Sequence, residues 1–386
     1  MNNPSRFSSL PPLSLYVHIP WCVRKCPYCD FNSHESSGEI PEREYIQALL
    51  QDFRQEAALI QDRQLTSIFF GGGTPSLFSG ASYKYLLAEL QKEIQFSPDT
   101  EITLEANPGT MEQAKFFDFR DAGINRLSIG IQSFNDEKLK ALGRIHNRTS
   151  AVEAGKNARK AGFDNFNLDL MHGLPNQTLE EALVDIQQAI ALKPTHLSWY
   201  QLTIEPNTAF YSAPPKLPTE DHLWEIQEQG HQLLINAGFK QYEVSAYSQP
   251  SRQSKHNLNY WQFGDYIGIG AGAHGKLTDL DRQQIFRRRK TRTPRNYLDQ
   301  TKEFLANEKA ISSDDLAFEF MLNAMRLVNG VPTDYFDTRT GLSINTVIEK
   351  VNLAKQKGLL ETGKQLKPSE KGLQFLNELL SIFMEE

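Results

Sequence analysis

The sequence predicts an α/β protein in which a parallel sheet is followed by an irregular segment and a small helical C-terminal domain. Two observations support this prediction. Short runs rich in β-branched and aromatic residues alternate with helix-length stretches up to about residue 248, and the pattern changes beyond that point. Strands that alternate with helices are typical of parallel sheets with right-handed crossovers, built as an open sheet or as a full or partial barrel.

Six predicted strands and the helices between them make up the first part of the chain. The strands are predicted at 15–19, 67–70, 101–105, 126–131, 166–171 and 196–202. The helices between them are predicted at 42–60, 81–94, 111–122, 150–161 and 179–192. A further helix at 221–237 leads to an apolar run at 241–247.

The remainder of the chain has a different character. Residues 249–298 are rich in turns, aromatic residues and basic residues, without clear periodicity. From residue 311, helical stretches and a hairpin-like stretch at 358–370 indicate a winged-helix-like shape. Acidic residues outnumber basic ones 11 to 8 over 311–386, which favours packing or partner binding over DNA recognition. We therefore predict three domains, 1–248, 249–310 and 311–386.

Composition argues against several classes of protein. Hydrophobic residues make up 39% of the chain and charged residues 23%, as in ordinary globular proteins. The net charge of −6 argues against a nucleic-acid binder, which would carry a basic surface. No apolar run approaches the roughly 20 residues that span a bilayer, and residues 1–20 lack the apolar core of a signal peptide. The expected compartment is the cytoplasm.

All three cysteines of the chain lie in one short stretch, as Cys22, Cys26 and Cys29. Thiols this close together do not form a disulfide framework and indicate a metal site. A 4Fe–4S cluster usually takes four cysteine ligands, so three would leave one iron open to another ligand. Zinc is the alternative, with His18 or His34 as the fourth ligand, although structural zinc sites normally pair their cysteines in two separate halves.

The sequence around these cysteines resembles a known superfamily. The stretches YVHIPWC and PYCDFNSH are similar to those of radical S-adenosylmethionine (SAM) proteins. Over essentially its whole length, the chain resembles the branch that contains oxygen-independent coproporphyrinogen III dehydrogenase and the HemW heme chaperones. The resemblance implies a partial (β/α) barrel, a 4Fe–4S cluster, and SAM chelated to the open iron by its amino and carboxylate groups. In this superfamily a reducing electron can cleave the SAM sulfonium to a deoxyadenosyl radical.

A glycine-rich turn and several strand ends supply the predicted SAM residues. The stretch GGGTP at 71–75 follows an apolar strand and precedes a helix, where glycine lets backbone N–H groups approach a ligand. Alone it indicates only a tight turn, but beside the cysteines it indicates a binding site. The resemblance assigns Gly72, Gly73 and Thr74 to the amino-acid part of SAM. It also implies that residues near the strand ends, where ligands of such sheets collect, contact the rest of SAM: Tyr16, Tyr28, Glu105, Gln132, Arg144 and Asp169.

Two departures separate the chain from the dehydrogenases of this branch. These enzymes carry a fourth cysteine two residues after the third, where this chain has Phe31. They also have a longer N-terminal extension than the 21 residues that precede Cys22 here. Both departures argue against oxidative decarboxylation of a porphyrinogen, and we assign no catalytic residue.

A second motif, HNLNYW, lies at 256–261. On residue types alone, a histidine beside aromatic residues is more often part of a core than a ligand. HNxxYW resembles the heme-binding motif of HemW proteins, however, and this copy is complete. The resemblance implies that His256 coordinates heme iron, and that Asn257, Tyr260 and Trp261 belong to the same site, with both rings packing nearby.

Other candidates rest on weaker patterns. The basic run at 287–290 suits the carboxylates of heme propionates, although such runs are more often simply solvated. His172 and His274 are further candidates, but the glycine-flanked turns around them explain them equally well.

These motifs favour a heme chaperone that passes heme to acceptor hemoproteins and carries a 4Fe–4S cluster with SAM. Membrane-associated respiratory enzymes are among the expected acceptors, whereas no nucleic-acid partner and no membrane span are expected. One alternative is a radical SAM enzyme like oxygen-independent coproporphyrinogen III oxidase. Another is a winged-helix regulator with a redox-sensing cluster.

Overall fold

A computed structural model describes residues 7, 9–36, 38–109 and 113–384. Its strands are β1 (Leu13–Ile19), β2 (Trp21–Cys22), β3 (His34–Glu35), β4 (Leu65–Gly72), β5 (Phe96–Ala106), β6 (Arg126–Gln132), β7 (Phe166–His172), β8 (His196–Gln201), β9 (Lys240–Glu243), β10 (Ala246–Ser248), β11 (Asp265–Ile269), β12 (His274–Asp279), β13 (Gln284–Lys290), β14 (Leu305–Ala310), β15 (Val331–Pro332) and β16 (Gln365–Leu366).

The described α-helices connect or follow these strands. They are α1 (Glu42–Glu56), α2 (Gly80–Glu93), α3 (Phe116–Asp121), α4 (Asp136–Ala141), α5 (Arg148–Lys160), α6 (Leu179–Ala191), α7 (Ala209–Ser212), α8 (Glu220–Asn236), α9 (Lys255–Trp261), α10 (Pro294–Tyr297), α11 (Ser313–Ala324), α12 (Asp334–Thr340), α13 (Ile348–Gln356), α14 (Glu370–Gln374) and α15 (Leu376–Ser381). The predicted helix at 111–122 falls partly on residues outside the described ones.

One twelve-stranded sheet organises the molecule. Its order is β14-β13-β12-β11-β1-β4-β5-β6-β7-β8-β10-β9. The seven neighbouring strands from β11 to β8 pair in parallel, and helices connect β4 through β8. The predicted α/β class with a parallel sheet is therefore confirmed.

Alternating side chains give this sheet two different faces. On β1, Leu13, Leu15 and Val17 belong to the main hydrophobic core. Ser14 faces the other way, and its hydroxyl lies 2.7 Å from that of Ser67 on β4. Because side chains alternate along a strand, the polar residues of β1 and β4–β8 share this second face, which we call the inner face.

Segment 249–310 is more regular than its sequence pattern indicated. Helix α9 packs on the inner face, and β11–β14 extend the sheet beyond β1. Strand β13 (QIFRRRK) is rich in charged residues, so the apolar alternation that reveals a strand is weak there.

The C-terminal helices pack around a second hydrophobic core. It unites residues of α11, α12, α13 and α15 with Tyr242, Ala246, Phe263 and Ile285 from the preceding segments. Strands β15 and β16 form a small antiparallel ladder beside these helices. The predicted domain limits at 248 and 310, and the winged-helix-like shape, stay predictions. Within the described part of the chain, no helix is both long enough and apolar enough to cross a bilayer.

Candidate cofactor site

A cavity of about 550 Å³ opens beside the cysteine loop, at the carboxyl ends of the parallel strands. Ligands of parallel sheets collect at this end. Eleven residues predicted from the sequence line it: Cys22, Cys26, Tyr28, Cys29, Gly72, Gly73, Thr74, Glu105, Gln132, Arg144 and Asp169. The structure therefore brings nearly all the predicted cluster and SAM residues to one place.

The cysteine loop is held by a short pair of strands. Strand β2 pairs in parallel with β3, with Cys22 opposite Glu35. Thr74 donates a hydrogen bond to the sulfur of Cys22 at 3.5 Å, and Arg144 donates one to the sulfur of Cys26 at 3.7 Å. Burial raises the pKa of the Cys22 thiol, and the hydrogen bond from Thr74 opposes that rise. Both donors stabilise sulfur as a thiolate, the form that binds iron.

His18 does not complete a zinc site in this arrangement. Its Nε2 donates to the Asn32 carbonyl at 2.8 Å, so its Nδ1, 3.0 Å from the Tyr16 hydroxyl, accepts from that group. Burial lowers the pKa of His18 to about 4, which leaves the ring neutral. Since both ring nitrogens are engaged, the interpretation of His18 as a fourth metal ligand is not supported.

Tyr16, the remaining predicted SAM residue, lies behind the cavity wall. Its hydroxyl is engaged with His18, and burial, followed by the negative charge of Glu105, raises its pKa. A contact between Tyr16 and SAM stays a prediction.

The glycines of the 71–75 turn bring the backbone close to the cysteine loop. Gly72 has a φ of +115°, and its N–H donates to Glu105 at 3.2 Å. A Cβ atom at Gly73 would lie 2.5 Å from the carbonyl oxygen of Trp21, the residue before Cys22. Side chains are thus excluded where β4 meets the loop, and this close approach fits a site that presents backbone to a cluster-bound ligand.

Two carboxyl groups make the cavity wall suitable for a cation. Burial, with the nearby Asp169 carboxylate second, raises the pKa of Glu105 to about 8. Asp169 also has a raised pKa because of burial, opposed by hydrogen bonds from Asn167 and Ser128. A positively charged ligand would favour ionisation of both groups. SAM carries such charges in its sulfonium and amino groups, so the residues present fit this cofactor.

Asn107 connects the glycine turn to Arg144 and was missed in the sequence. Its amide nitrogen donates to Thr74 at 3.1 Å, and its oxygen accepts from Arg144 at 2.6 Å. Arg144 also donates to the carbonyl of Gly130 at 2.8 Å. The signal was present, because Asn107 directly follows the carboxyl end of β5, but the stretch EANPG reads equally well as a turn.

Gln132 lies where the backbone is locally strained. Its φ is +68°, and the register between β6 and β7 shifts between Gly130 and Gln132. Its side-chain oxygen accepts from the Tyr200 hydroxyl at 2.9 Å. Bulges and positive φ values at non-glycine residues occur often beside binding sites because they re-aim a side chain.

The HNxxYW motif forms helix α9 on the inner face and does not line the cavity directly. His256 is only 2% exposed. Its Nδ1 lies 3.0 Å from the Ser67 hydroxyl and its Nε2 lies 3.1 Å from the Tyr260 hydroxyl. The ring stacks on Phe69 at 4.9 Å, and burial lowers its pKa to about 3. In this conformation His256 does not fit an iron ligand, because both ring nitrogens are engaged inside the protein.

A buried carboxylate that the sequence did not reveal anchors this helix. Glu101 of β5, only 5% exposed, accepts from the backbone N–H groups of Lys255 and His256 at 3.2 and 3.3 Å. It also accepts from the Ser254 hydroxyl at 3.4 Å. A negative charge at a helix N-terminus is stabilising, so Glu101 fixes the start of α9 on the sheet.

Three of the four residues in the basic run 287–290 form ion pairs within the fold. Arg287 pairs with Glu319 at 2.6 Å, Arg288 with Glu56 at 2.9 Å, and Lys290 with Glu56 and Asp52. These partners argue against the interpretation of the run as a propionate site. His172 is buried against Trp199, with ring centroids 4.3 Å apart, and His274 begins β12.

Two family models match parts of this chain. Residues 16–189 match the model of the radical SAM superfamily, and residues 311–375 match the HemN C-terminal domain. The fold is similar to that of coproporphyrinogen III oxidase (HemN) from Escherichia coli, with a TM-score of 0.81, 23% identity, and coverage of 97% of this chain and 90% of that one. The fold, the cysteine loop and the family match thus define a radical SAM protein, which implies a 4Fe–4S cluster and SAM as cofactors.

Full-length relatives identify the family within the radical SAM proteins. The chain is 56% identical to heme chaperone HemW of Haemophilus influenzae and 53% identical to heme chaperone HemW of Escherichia coli. Each alignment covers 98% of this chain and 99% of the relative. The chain belongs to the HemW family, and the resemblance inferred from its motifs is confirmed.

Proposed function

We propose that the protein is a heme chaperone that binds heme and passes it to acceptor hemoproteins. The observation that carries this proposal is the full-length similarity to relatives that are named heme chaperones. The completeness of the HNxxYW motif supports it. The motif packs on β4, the strand that ends at the glycine turn beside the cysteine loop, which supports a connection between the two sites.

In this proposal Cys22, Cys26 and Cys29 hold the 4Fe–4S cluster. Gly72, Gly73 and Thr74 meet the amino-acid part of SAM, and the Glu105 and Asp169 carboxyl groups accept hydrogen bonds from it. When bound, the cluster and SAM supply a site for reductive cleavage of a sulfonium. The protein's own part is to position the cofactor, to balance its positive charge and to keep the thiolates hydrogen-bonded.

The heme is assigned to the α9 region, with His256 as the predicted ligand. Iron binds one nitrogen of an imidazole, so ligation by His256 requires the hydrogen bond at that nitrogen to break, either the one to Ser67 or the one to Tyr260. The helix is only seven residues long and is held to β5 through Glu101 and through the ion pair between Lys255 and Asp99. A local displacement of α9 would expose the ring without unfolding the sheet.

A heme titration tests this proposal. The protein is reconstituted anaerobically with iron and sulfide, and heme binding is followed by optical spectra. We expect about one heme per chain, and we expect His256→Ala to lower the affinity strongly because an axial ligand is lost.

His231→Ala is the matched control, since His231 also contacts a tyrosine hydroxyl, that of Tyr247, at 3.0 Å. It should bind heme as the wild type does. Circular dichroism verifies that both variants are folded. Unchanged heme binding by folded His256→Ala would refute the ligand assignment, and a wild type that binds no heme would refute the function.

The compartment and the acceptors belong to the same proposal. We place the protein in the cytoplasm, because thiolates that hold a cluster require a reducing environment. Membrane-associated respiratory enzymes are the proposed acceptors. Heme-loaded protein should restore the heme spectrum of such an enzyme in its heme-free form, whereas no transfer to any hemoprotein would count against a chaperone.

A further inference from the structure

The cofactor cavity extends beyond the residues assigned to SAM. Its wall continues along β8 through Ser198 to Ser245, at the turn between β9 and β10, and to Arg326. Arg326 follows α11, in the part of the chain that matches the HemN C-terminal domain. The C-terminal region therefore contributes a cation to a cavity whose other lining residues come from the sheet and from loops at its carboxyl end, the cysteine loop among them.

Arg326 has spare hydrogen-bonding capacity. Its side chain is 31% exposed, and its one ion pair among the described residues, to Glu243, is long at 3.3 Å. Its Nε is buried, and no acceptor for it is found in the described part of the chain. Arg144, on the same cavity wall, instead donates to Asn107, Gly130 and Cys26. A guanidinium has five N–H donors in a fixed fork that suits a carboxylate. Arg326 can therefore donate hydrogen bonds to an anionic ligand.

Trp261, the last residue of the HNxxYW motif, packs against the guanidinium group of Arg326. The guanidinium carbon lies 4.4 Å from the ring centroid of Trp261, at a distance typical of cation–π contacts. The indole Nε1 of Trp261 is also buried, and among the described residues it has no hydrogen-bond partner. The backbone is fixed as well, because the Val244 N–H donates to the Arg326 carbonyl at 3.1 Å. Trp261 thus connects the HNxxYW motif physically to the cofactor cavity.

We propose that Arg326, positioned by Trp261, binds a carboxylate of the heme at this end of the cavity. The inference rests on the proposed function and deepens it, since the propionates are the anionic groups of heme. Arg326 is then a ligand-binding residue supplied by the C-terminal region. Trp261 acts as a positioning residue for Arg326 and not as a direct porphyrin contact.

The test compares hemin with hemin dimethyl ester, in which both propionates are capped. For Arg326→Gln we expect the affinity for hemin to fall about tenfold, which is 1.4 kcal/mol, while the affinity for the ester stays near the wild-type value. The ratio of the two affinities is the readout. Arg326→Lys should restore part of the ratio, and Trp261→Ala should lower it more than Trp261→Phe, because phenylalanine retains a ring face.

Arg282→Gln is the matched control, since Arg282 also lies over an aromatic ring, that of Phe286 at 5.0 Å, and pairs with Glu308 at 3.2 Å. Its hemin-to-ester ratio should equal that of the wild type. Glu243→Gln removes the negative charge that competes for Arg326 and should raise the ratio, which provides a second test if Arg326→Gln fails to fold.

The outcomes separate this inference from the proposed function. Failure of the wild type to bind hemin at all would refute both. Wild-type binding of hemin with an unchanged ratio in folded Arg326→Gln, or in Glu243→Gln, would overturn only the inference. A fall in SAM affinity in Arg326→Gln with hemin affinity intact would overturn it too, because Arg326 would then belong to the SAM site.

Discussion

At the scale of single residues, burial controls the charge of the cofactor cavity. Glu105 has a pKa raised from 4.5 to about 8, first by burial and then by the Asp169 carboxylate. An acid whose pKa is raised by folding keeps a proton that the unfolded chain releases. The free energy of unfolding therefore falls as pH rises from about 4.5 towards 8.

Replacing Glu105 with glutamine should remove this part of the pH dependence. Glutamine has a similar shape but cannot ionise, so the stability of Glu105→Gln without SAM should fall less than that of the wild type between pH 5 and pH 8. Urea denaturation at both pH values measures the difference. Glu349→Gln, which changes an exposed glutamate, should behave as the wild type does. If the free energy of unfolding changed equally between pH 5 and pH 8 in Glu105→Gln and in the wild type, Glu105 would not be the group responsible.

The sequence predicted some site residues far better than others. The spacing of Cys22, Cys26 and Cys29 predicts a metal site, and the position of the glycine turn after a strand predicts a binding turn. Asn107 and Glu101 act through contacts with residues distant in the chain, and neither lies in a distinctive local pattern. Arg326 could not be predicted from the sequence, because only tertiary packing brings this residue, which follows α11, to the cavity.

At the scale of elements, α9 shows that a motif can be recognised in a sequence while the orientation of its side chains cannot. HNLNYW resembles a heme-binding motif, but the sequence does not show that its histidine faces inward. That orientation comes from the Ser254 cap and from Glu101 on a strand about 150 residues earlier in the chain. Short helices of this kind depend on packing more than on intrinsic propensity.

Loosening α9 should speed heme association. Tyr260→Phe removes the hydrogen bond to His256 Nε2 and keeps the aromatic ring. Since one such bond contributes about 0.5–1.5 kcal/mol, we expect hemin to associate roughly two- to tenfold faster in stopped-flow measurements. Tyr247→Phe, which removes the equivalent contact to His231, should leave the rate unchanged. A slower rate in Tyr260→Phe would indicate that the hydroxyl contacts heme directly.

At the scale of the whole molecule, the second hydrophobic core joins the sheet to the C-terminal helices. Phe263, only 1% exposed, follows α9 and packs edge-on against Phe320 of α11, with centroids 5.6 Å apart. Composition and periodicity suggested the location of the C-terminal helices. They could not show that residues of 242–285 contribute to the same core, because such contacts are long-range.

Truncating this shared core should destabilise the protein. Phe263→Ala is expected to lower the free energy of unfolding by about 3–5 kcal/mol, as for other buried phenylalanines. Chemical denaturation followed by circular dichroism measures it. Phe375→Ala, at a position 45% exposed, should cost far less. Similar losses for both variants would mean that Phe263 does not connect the two parts.

Strand β5 carries Glu105 at its carboxyl end and Glu101 four residues earlier, on the same side of the pleat. One carboxyl group faces the SAM cavity and the other holds the start of α9, about 13 Å apart at the usual rise per residue. A shift of Glu105 on SAM binding would therefore reach Glu101, and through it the start of α9, along one strand. Binding of two ligands to one protein is thermodynamically reciprocal. If bound SAM raises the affinity for heme by some factor, bound heme must raise the affinity for SAM by the same factor.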